Sequence, residues 1–172
     1  TKAAWDEDGW FRTGDLGRVD ADGFLYITGR KKELIKTSGG KYIAPTQIEE
    51  KICAMPLISQ AMLIGDGRPF CVALLTFNQA ALKNWCHESG VKLEDAYSSE
   101  KLRALINAEM DIVNKQLASY ETVKSYLLLK EEFSVENGQL TPTFKLKRGV
   151  VEMKYREEIN ALYNATKRPN PR

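Results

Sequence analysis

Histidine, cysteine and long apolar runs are what this chain of 172 residues has least of. His87 is the only histidine, so a His-based triad and a two-histidine metal site are excluded by count. It lies in a charged helical segment, Lys83 to Glu88, and reads as a solvated surface residue. Cys53, Cys71 and Cys86 are odd in number and lack CxxC spacing. That argues for a reducing compartment and against both a disulfide framework and a zinc site. No apolar run approaches the ~20 residues needed to span a bilayer. No signal peptide is legible, because the chain opens Thr1-Lys2-Ala3-Ala4-Trp5 and goes straight into acidic residues. A net charge of +2 is too small to argue for nucleic-acid or membrane binding as a property of the whole surface. At 43% hydrophobic and 28% charged, the composition suits a water-soluble globular protein of one domain, or one domain with an appendage.

Periodicity and turn signals divide the rest. Residues 23–28 form a short β-prone run after the turn signal Asp20-Ala21-Asp22-Gly23. A helix is expected from Pro45 or Thr46 to about Met55, with Ile48 and Ile52 on one face and Glu49 and Glu50 near its positive end. Residues 59–65 and 71–77 are apolar runs of strand length, joined by Asp66-Gly67-Arg68-Pro69, and read as a hairpin. Asn78 is a candidate cap for a helix ending at Gly90. A second helix, from about Ser99 to Ser119, carries Leu102, Leu105, Ile106, Met110, Val113 and Leu117 as a core stripe. Val123 to Phe133 reads as a strand, and Asn137-Gly138 as a hairpin turn toward Leu140. A final helix turns Val151, Tyr155, Ile159 and Leu162 inward, and the tail from Lys167 is expected to be disordered. The fold class is therefore α+β, a small mixed sheet with covering helices.

Three clusters carry chemistry. In Thr13-Gly14-Asp15, a carboxylate just after a glycine can accept hydrogen bonds from a ribose diol, or it is simply a turn aspartate. Residues 29–50, GRKKELIKTSGGKYIAPTQIEE, hold Arg30, whose donor fork suits a phosphate or diol. In the same stretch Gly39-Gly40 leaves no Cβ in the way of a ligand. The alternative there is a solvated cationic loop before a helix. In TPTFKLKR, residues 141–148, Lys145 could deliver positive charge to an oxygen where negative charge develops. The alternative is an exposed basic run; a nucleic-acid patch is disfavoured because no aromatic platform is interleaved.

In order, the chain shows TGD, then GR-x-K-x-x-I-K-x-x-G-x-x-x-I-x-P-x-x-I-E, then T-x-K-x-x-R. This resembles the C-terminal part of the adenylate-forming acyl-CoA synthetases, the superfamily that also holds luciferase and peptide-synthetase adenylation domains. The resemblance runs from about Gly9 to Tyr163. Most of that superfamily has a Ser-Gly-Lys-type lysine loop, whereas this chain reads Thr143-Phe144-Lys145. That form, with Thr-Ser-Gly-Gly in the central motif and a long helical segment at 79–120, looks like the long-chain fatty acyl-CoA synthetases; the bubblegum-like branch stays open.

The resemblance implies a two-step reaction: a fatty acid attacks Mg·ATP to give acyl-adenylate and pyrophosphate, and the thiol of CoA then displaces AMP. It implies that Asp15 binds the ribose hydroxyls, that Arg30 helps hold the nucleotide, and that Lys145 bridges carboxylate and α-phosphate. Lys32 falls on the hinge, where many members have Asp, and Gly39 and Gly40 border the channel for CoA. Tyr42 beside them is either a CoA contact or a packing residue. Residues 1–31 are then the end of a larger N-terminal adenylating domain that binds most of the ATP and its Mg2+, residues 32–165 the C-terminal lid, and 166–172 a tail. No phosphate loop occurs in these residues, so the chain alone is expected to be inactive. A cytoplasmic location is expected, with peripheral membrane association of the parent left open, and no nucleic-acid partner. Two rivals stand beside this: an adenylating domain that loads a carrier protein, and a non-catalytic nucleotide- or partner-binding module.

Overall fold

The computed structural model of the chain describes residues 4–166. Two short antiparallel ladders come first, β1 (Asp15–Val19) with β2 (Leu25–Arg30), and β3 (Ile35–Lys36) with β4 (Tyr42–Ile43). Helix α1 (Pro45–Cys53) follows, then β5 (Ile58–Ile64), β6 (Cys71–Phe77), α2 (Gln79–Ser89), α3 (Glu100–Asn114), β7 (Val123–Leu129), α4 (Arg148–Lys154) and α5 (Arg156–Thr166).

The centre is the sheet β5-β6-β7, in which β5 and β6 are antiparallel and β6 and β7 parallel. All seven residues of β6 are buried, which is what an unbroken apolar run requires, since both of its faces must be covered. Ala73, Leu75 and Phe77 face one cluster with Ile48 and Ile52 of α1 and Leu102, Ile106 and Met110 of α3. Val72 and Leu74 face the opposite cluster with Leu129, Val151, Ile159 and Tyr163. The period-2 alternation of the strand therefore assigns α1–α3 to one side and α4–α5 to the other. The parallel step from β6 to β7 needs a long crossover, and α2 and α3 supply it.

The expected fold class, hairpin and helix caps are all present. Asn78 accepts from the backbone N–H groups of Ala80 and Ala81, and Gly90 ends α2 at φ 72°, a left-handed turn that a side chain would disfavour. Several expected boundaries move. Helix α3 stops at Asn114, not Ser119, because that side chain donates to Val123 O and accepts from Val123 N, at 3.0 and 2.8 Å, fastening the helix end to the start of β7. Strand β7 ends at Leu129, not Phe133; there the Gln60 amide takes the place of a neighbouring strand, accepting from Phe133 N and donating to Phe133 O. Asn137-Gly138 does not join two strands. The Asn137 side chain accepts from Ser134 N and Gln139 N, closing a local turn, and the only nearby pairing is a single bridge between Leu140 and Leu146.

The last helix is broken at Tyr155 into α4 and α5. Val151 and Ile159 are buried as expected, Tyr155 and Leu162 only half-buried, and Tyr163 takes the third inward place with its hydroxyl beside Ile64 O and Phe70 O. Thr166 is still helical, so the tail expected from 166 does not begin there, and residues 167–172 lie outside the described residues.

Candidate functional site

Asp15 and Arg30 come from opposite strands. They are paired across the β1–β2 ladder, and Arg30 Nε lies 3.1 Å from Asp15 Oδ1. Thr13 and Gly14 shape the approach: Asp15 N donates to Thr13 Oγ1, and Lys31 N donates to Gly14 O. The strand entry thus aims the carboxylate at its cross-strand guanidinium. Lys32 follows within a single exposed turn, Lys31–Glu33, between β2 and β3.

Lys145 is delivered by a tight turn. Phe144 N donates to Thr141 O, Thr141 N to Lys145 O, and Lys145 N to Thr141 Oγ1. Phe144 takes φ 58°, the single non-glycine residue with positive φ among the described residues. It stands where the resembled superfamily has glycine, and the left-handed backbone explains that glycine.

These groups, more than a hundred residues apart in sequence, meet on one cavity of about 610 Å³ whose walls include Asp15, Arg30, Glu33, Thr46, Glu50 and Lys145. That volume is in the range of small-molecule sites, about 300–1,000 Å³. Its cations suit an anionic ligand, and its carboxylates could accept from a ligand's hydroxyls. Gly39 and Gly40 are not on these walls. They form an exposed turn of their own, with Gly40 at φ 77° and nothing within 4 Å of where its Cβ would stand. Backbone bonds from Ser38 N to Arg68 O and from Gly67 N to Lys36 O tie that turn to the β5–β6 loop. Tyr42 is 59% exposed and outside this chain's own core, with the Lys36 ammonium 5.6 Å from its ring centroid.

Sequence reasoning missed Glu49. Expected to complement the start of α1, it instead reaches across: Oε1 accepts from Leu63 N at 2.6 Å and Oε2 from Arg148 Nη2 at 2.6 Å. Arg148 was counted only as one cation of a basic run. The available signal was position, since these residues end the second and third motifs. Among the described residues no group of three or more His, Cys, Asp or Glu could hold a metal ion. Burial pushes the Cys71 thiol up to about 11, with Glu121 adding to it, so Cys71 is a core group and not a nucleophile.

Residues 32–167 match the family described as AMP-binding enzyme C-terminal domain. The chain belongs to that family. A long-chain-fatty-acid–CoA ligase of Mycobacterium tuberculosis is 44% identical over 161 residues, covering 91% of this chain and 27% of the relative. A long-chain-fatty-acid–CoA ligase of Gallus gallus is 40% identical, covering 95% of this chain and 24% of the relative. In fold, this AMP-binding domain is similar to the adenylation domain of a carboxylate reductase from Mycobacterium chelonae, with TM-score 0.74, 27% identity, and 94% and 24% of the two chains covered. The corresponding domain from Segniliparus rugosus, in complex with AMP and a co-purified carboxylic acid, gives TM-score 0.75 at 25% identity, with 95% and 24% covered. The chain spans about a quarter of the length of the relatives it matches. It is a C-terminal AMP-binding domain of the adenylate-forming superfamily, related to those of fatty-acid–CoA ligases and carboxylate-reductase adenylation domains, and the expected α+β fold is that of such domains.

Proposed function

We propose that this AMP-binding domain is the mobile lid of an enzyme that activates a long-chain fatty acid with ATP and transfers the acyl group to CoA. One observation carries the reading: Lys145 and the Asp15–Arg30 pair line the same cavity. Asp15 accepts from the ribose hydroxyls, and Arg30 holds that carboxylate in place and faces the nucleotide. In the first step a fatty-acid carboxylate oxygen attacks the α-phosphorus of ATP, the α–β phosphoanhydride bond breaks, and pyrophosphate leaves. Two anions must be brought together, and the Lys145 ammonium offsets their repulsion as charge builds on the α-phosphate. In the second step the CoA thiol, losing its proton, attacks the acyl carbon and AMP departs. Residues 1–31 are the end of a larger N-terminal domain, with Lys32 as the hinge. Rotation about that hinge exchanges the Lys145 face for the Gly39-Gly40 turn, whose open surface admits the thiol arm. The Mg2+ of Mg·ATP would be held mainly by that N-terminal domain, since no donor set for it stands among the described residues.

A second reading has its own support. The folds compared include an A-PCP didomain of carboxylic acid reductase, with TM-score 0.69, which favours a thiol carried on a protein as acceptor. The named function of the relatives at 36–44% identity favours CoA. Adenylate formation is common to both.

The test uses the full-length parent carrying Lys145→Ala, with adenylate formation from ATP and palmitate followed separately from thioester formation from premade palmitoyl-adenylate. The first is expected to fall by roughly 10²–10³-fold, the scale of losing one preorganised charge in a transition state, while the second survives. Survival of both sinks the lysine assignment. Offering CoA and a pantetheinylated carrier in parallel to the second step separates the two acceptors. Residues 1–172 alone should yield no acyl-CoA, and a detectable yield would contradict the division of labour.

A further inference from the structure

Arg148 and Lys145 belong to one basic run, yet the fold puts them to different uses. Both line the cavity, but Lys145 is exposed, whereas the Arg148 side chain is three-quarters enclosed and already paired. Its Nη2 lies 2.6 Å from Glu49 Oε2, and its Nη1 donates to Leu63 O at 3.3 Å. Glu49 is used twice as well, its other oxygen accepting from Leu63 N. Three elements meet at this point: the middle of α1, strand β5, and the first residue of α4. The lysine turn ends three residues before that junction, and on its other side Lys147 N donates to Gln139 O.

We propose that the Glu49–Arg148 pair is a latch that sets the position of Lys145 for adenylation, a positioning role resting on the reading of Lys145 given above. The exposed turn 141–145 is closed by bonds within itself, and those bonds do not say where it stands relative to the Asp15–Arg30 wall. Its placement comes from its two ends. Arg148 anchors one of them by two points of contact with separate nitrogens, which a planar guanidinium supplies and an ammonium does not. Because Glu49 is also held by Leu63 N, the anchor is referred to the central sheet and not to another loop. The arrangement also sorts the charges: Arg148 is neutralised by a protein carboxylate, leaving Lys145 to meet the ligand's anion.

The experiment measures both half-reactions of the full-length parent carrying Arg148→Lys, Glu49→Gln, Lys145→Ala, and Lys145→Ala with Arg148→Lys. For the first two, adenylate formation is expected to fall about 10–100-fold, the cost of roughly an ångström of misplacement. Thioester formation from premade palmitoyl-adenylate should stay within about twofold on the same samples, which controls for the folded fraction. Adding Arg148→Lys to Lys145→Ala should cost nothing further, because a residue acting only through Lys145 has no effect once that ammonium is gone. A parallel fall of both half-reactions, no fall in either, or a further loss in the double variant overturns the latch. Failure of the underlying reading is seen separately, as a Lys145→Ala enzyme that still forms adenylate.

Discussion

The β1–β2 hairpin and the β5-β6-β7 sheet are both built from apolar, β-prone runs, yet they treat those side chains in opposite ways. In the sheet, Val72, Leu74, Leu75 and Phe77 are fully enclosed between two layers of helix. In the segment carrying the hairpin, Trp10, Phe11, Val19, Phe24, Leu25 and Ile27 are each more than half exposed. A two-stranded ladder has no second layer of its own, so its apolar face is covered only by something packed on it. Residues 32–166 do not cover it. The sheet is thus the main source of this chain's stability, and the hairpin leaves its apolar side chains open. That contrast agrees with the proposed division, in which residues 1–31 belong with a larger N-terminal domain and Asp15 and Arg30 reach this domain's cavity from its edge.

The largest effect expected comes from cutting equivalent side chains in the two regions. Leu74→Ala should destabilise the chain by about 2–5 kcal/mol, the range for an unfilled core cavity. Ile27→Ala should change it by no more than about 0.5 kcal/mol. Urea unfolding of the two variants checks this, and equal losses would erase the distinction. A smaller effect tests a place where the compact unit, like the hairpin, leaves a large apolar side chain exposed. Phe144 is 77% exposed and holds a left-handed backbone. Phe144→Gly removes that backbone cost and adds freedom to the unfolded chain, for a net gain of about 0.5–1 kcal/mol. A loss instead would mean that the freedom glycine adds to the unfolded chain outweighs the backbone cost.

The smallest effect sharpens the comparison through pH, because one carboxyl in each region shifts in the opposite direction. In α3, burial raises the Glu109 carboxyl above its ordinary value, and one of its oxygens is enclosed without a protein partner. The unfolded chain therefore ionises this group first, and stability falls as pH rises from about 4.5 through the folded value. In the hairpin, the hydrogen bond from Phe24 N, with others from its own turn, holds Asp20 below its ordinary value. Its contribution is present above about 3.8 and is lost as pH falls through the folded value. Thermal midpoints between pH 3 and 6 should rise less steeply with pH in Asp20→Asn, and decline less at the upper end in Glu109→Gln. Variants with unchanged profiles would count against either cause.

Short-range chemistry was legible in the residues alone. The unbroken apolar run of β6, the Asn78 cap, the Gly90 stop and the proline start of α1 each need only neighbours a few positions away, and each stands where the sequence places it. The motif order, read as a resemblance, pointed to the family. Where the sequence misled, a distant partner intervened. Asn114 ended its helix early to hold Val123, Gln60 replaced a strand beside Phe133, and Asn137 spent its amide on a local turn where a hairpin was expected.

The candidate site divides along the same line. By itself the sequence determined which residues could do the chemistry: the carboxylate of Asp15, the guanidinium of Arg30, the ammonium of Lys145 and the bare backbone of Gly39-Gly40. Only the tertiary structure decided that the first three share a cavity, that the glycines face elsewhere, and that Glu49 joins Arg148. The reason is physical. Side-chain type and local backbone preference act over a few residues and are written in order along the chain. The meeting of residues 15, 30 and 145 on one cavity, and of Glu49 with Arg148, depends on how helices on two faces of a sheet pack around it, which no stretch of a few residues encodes.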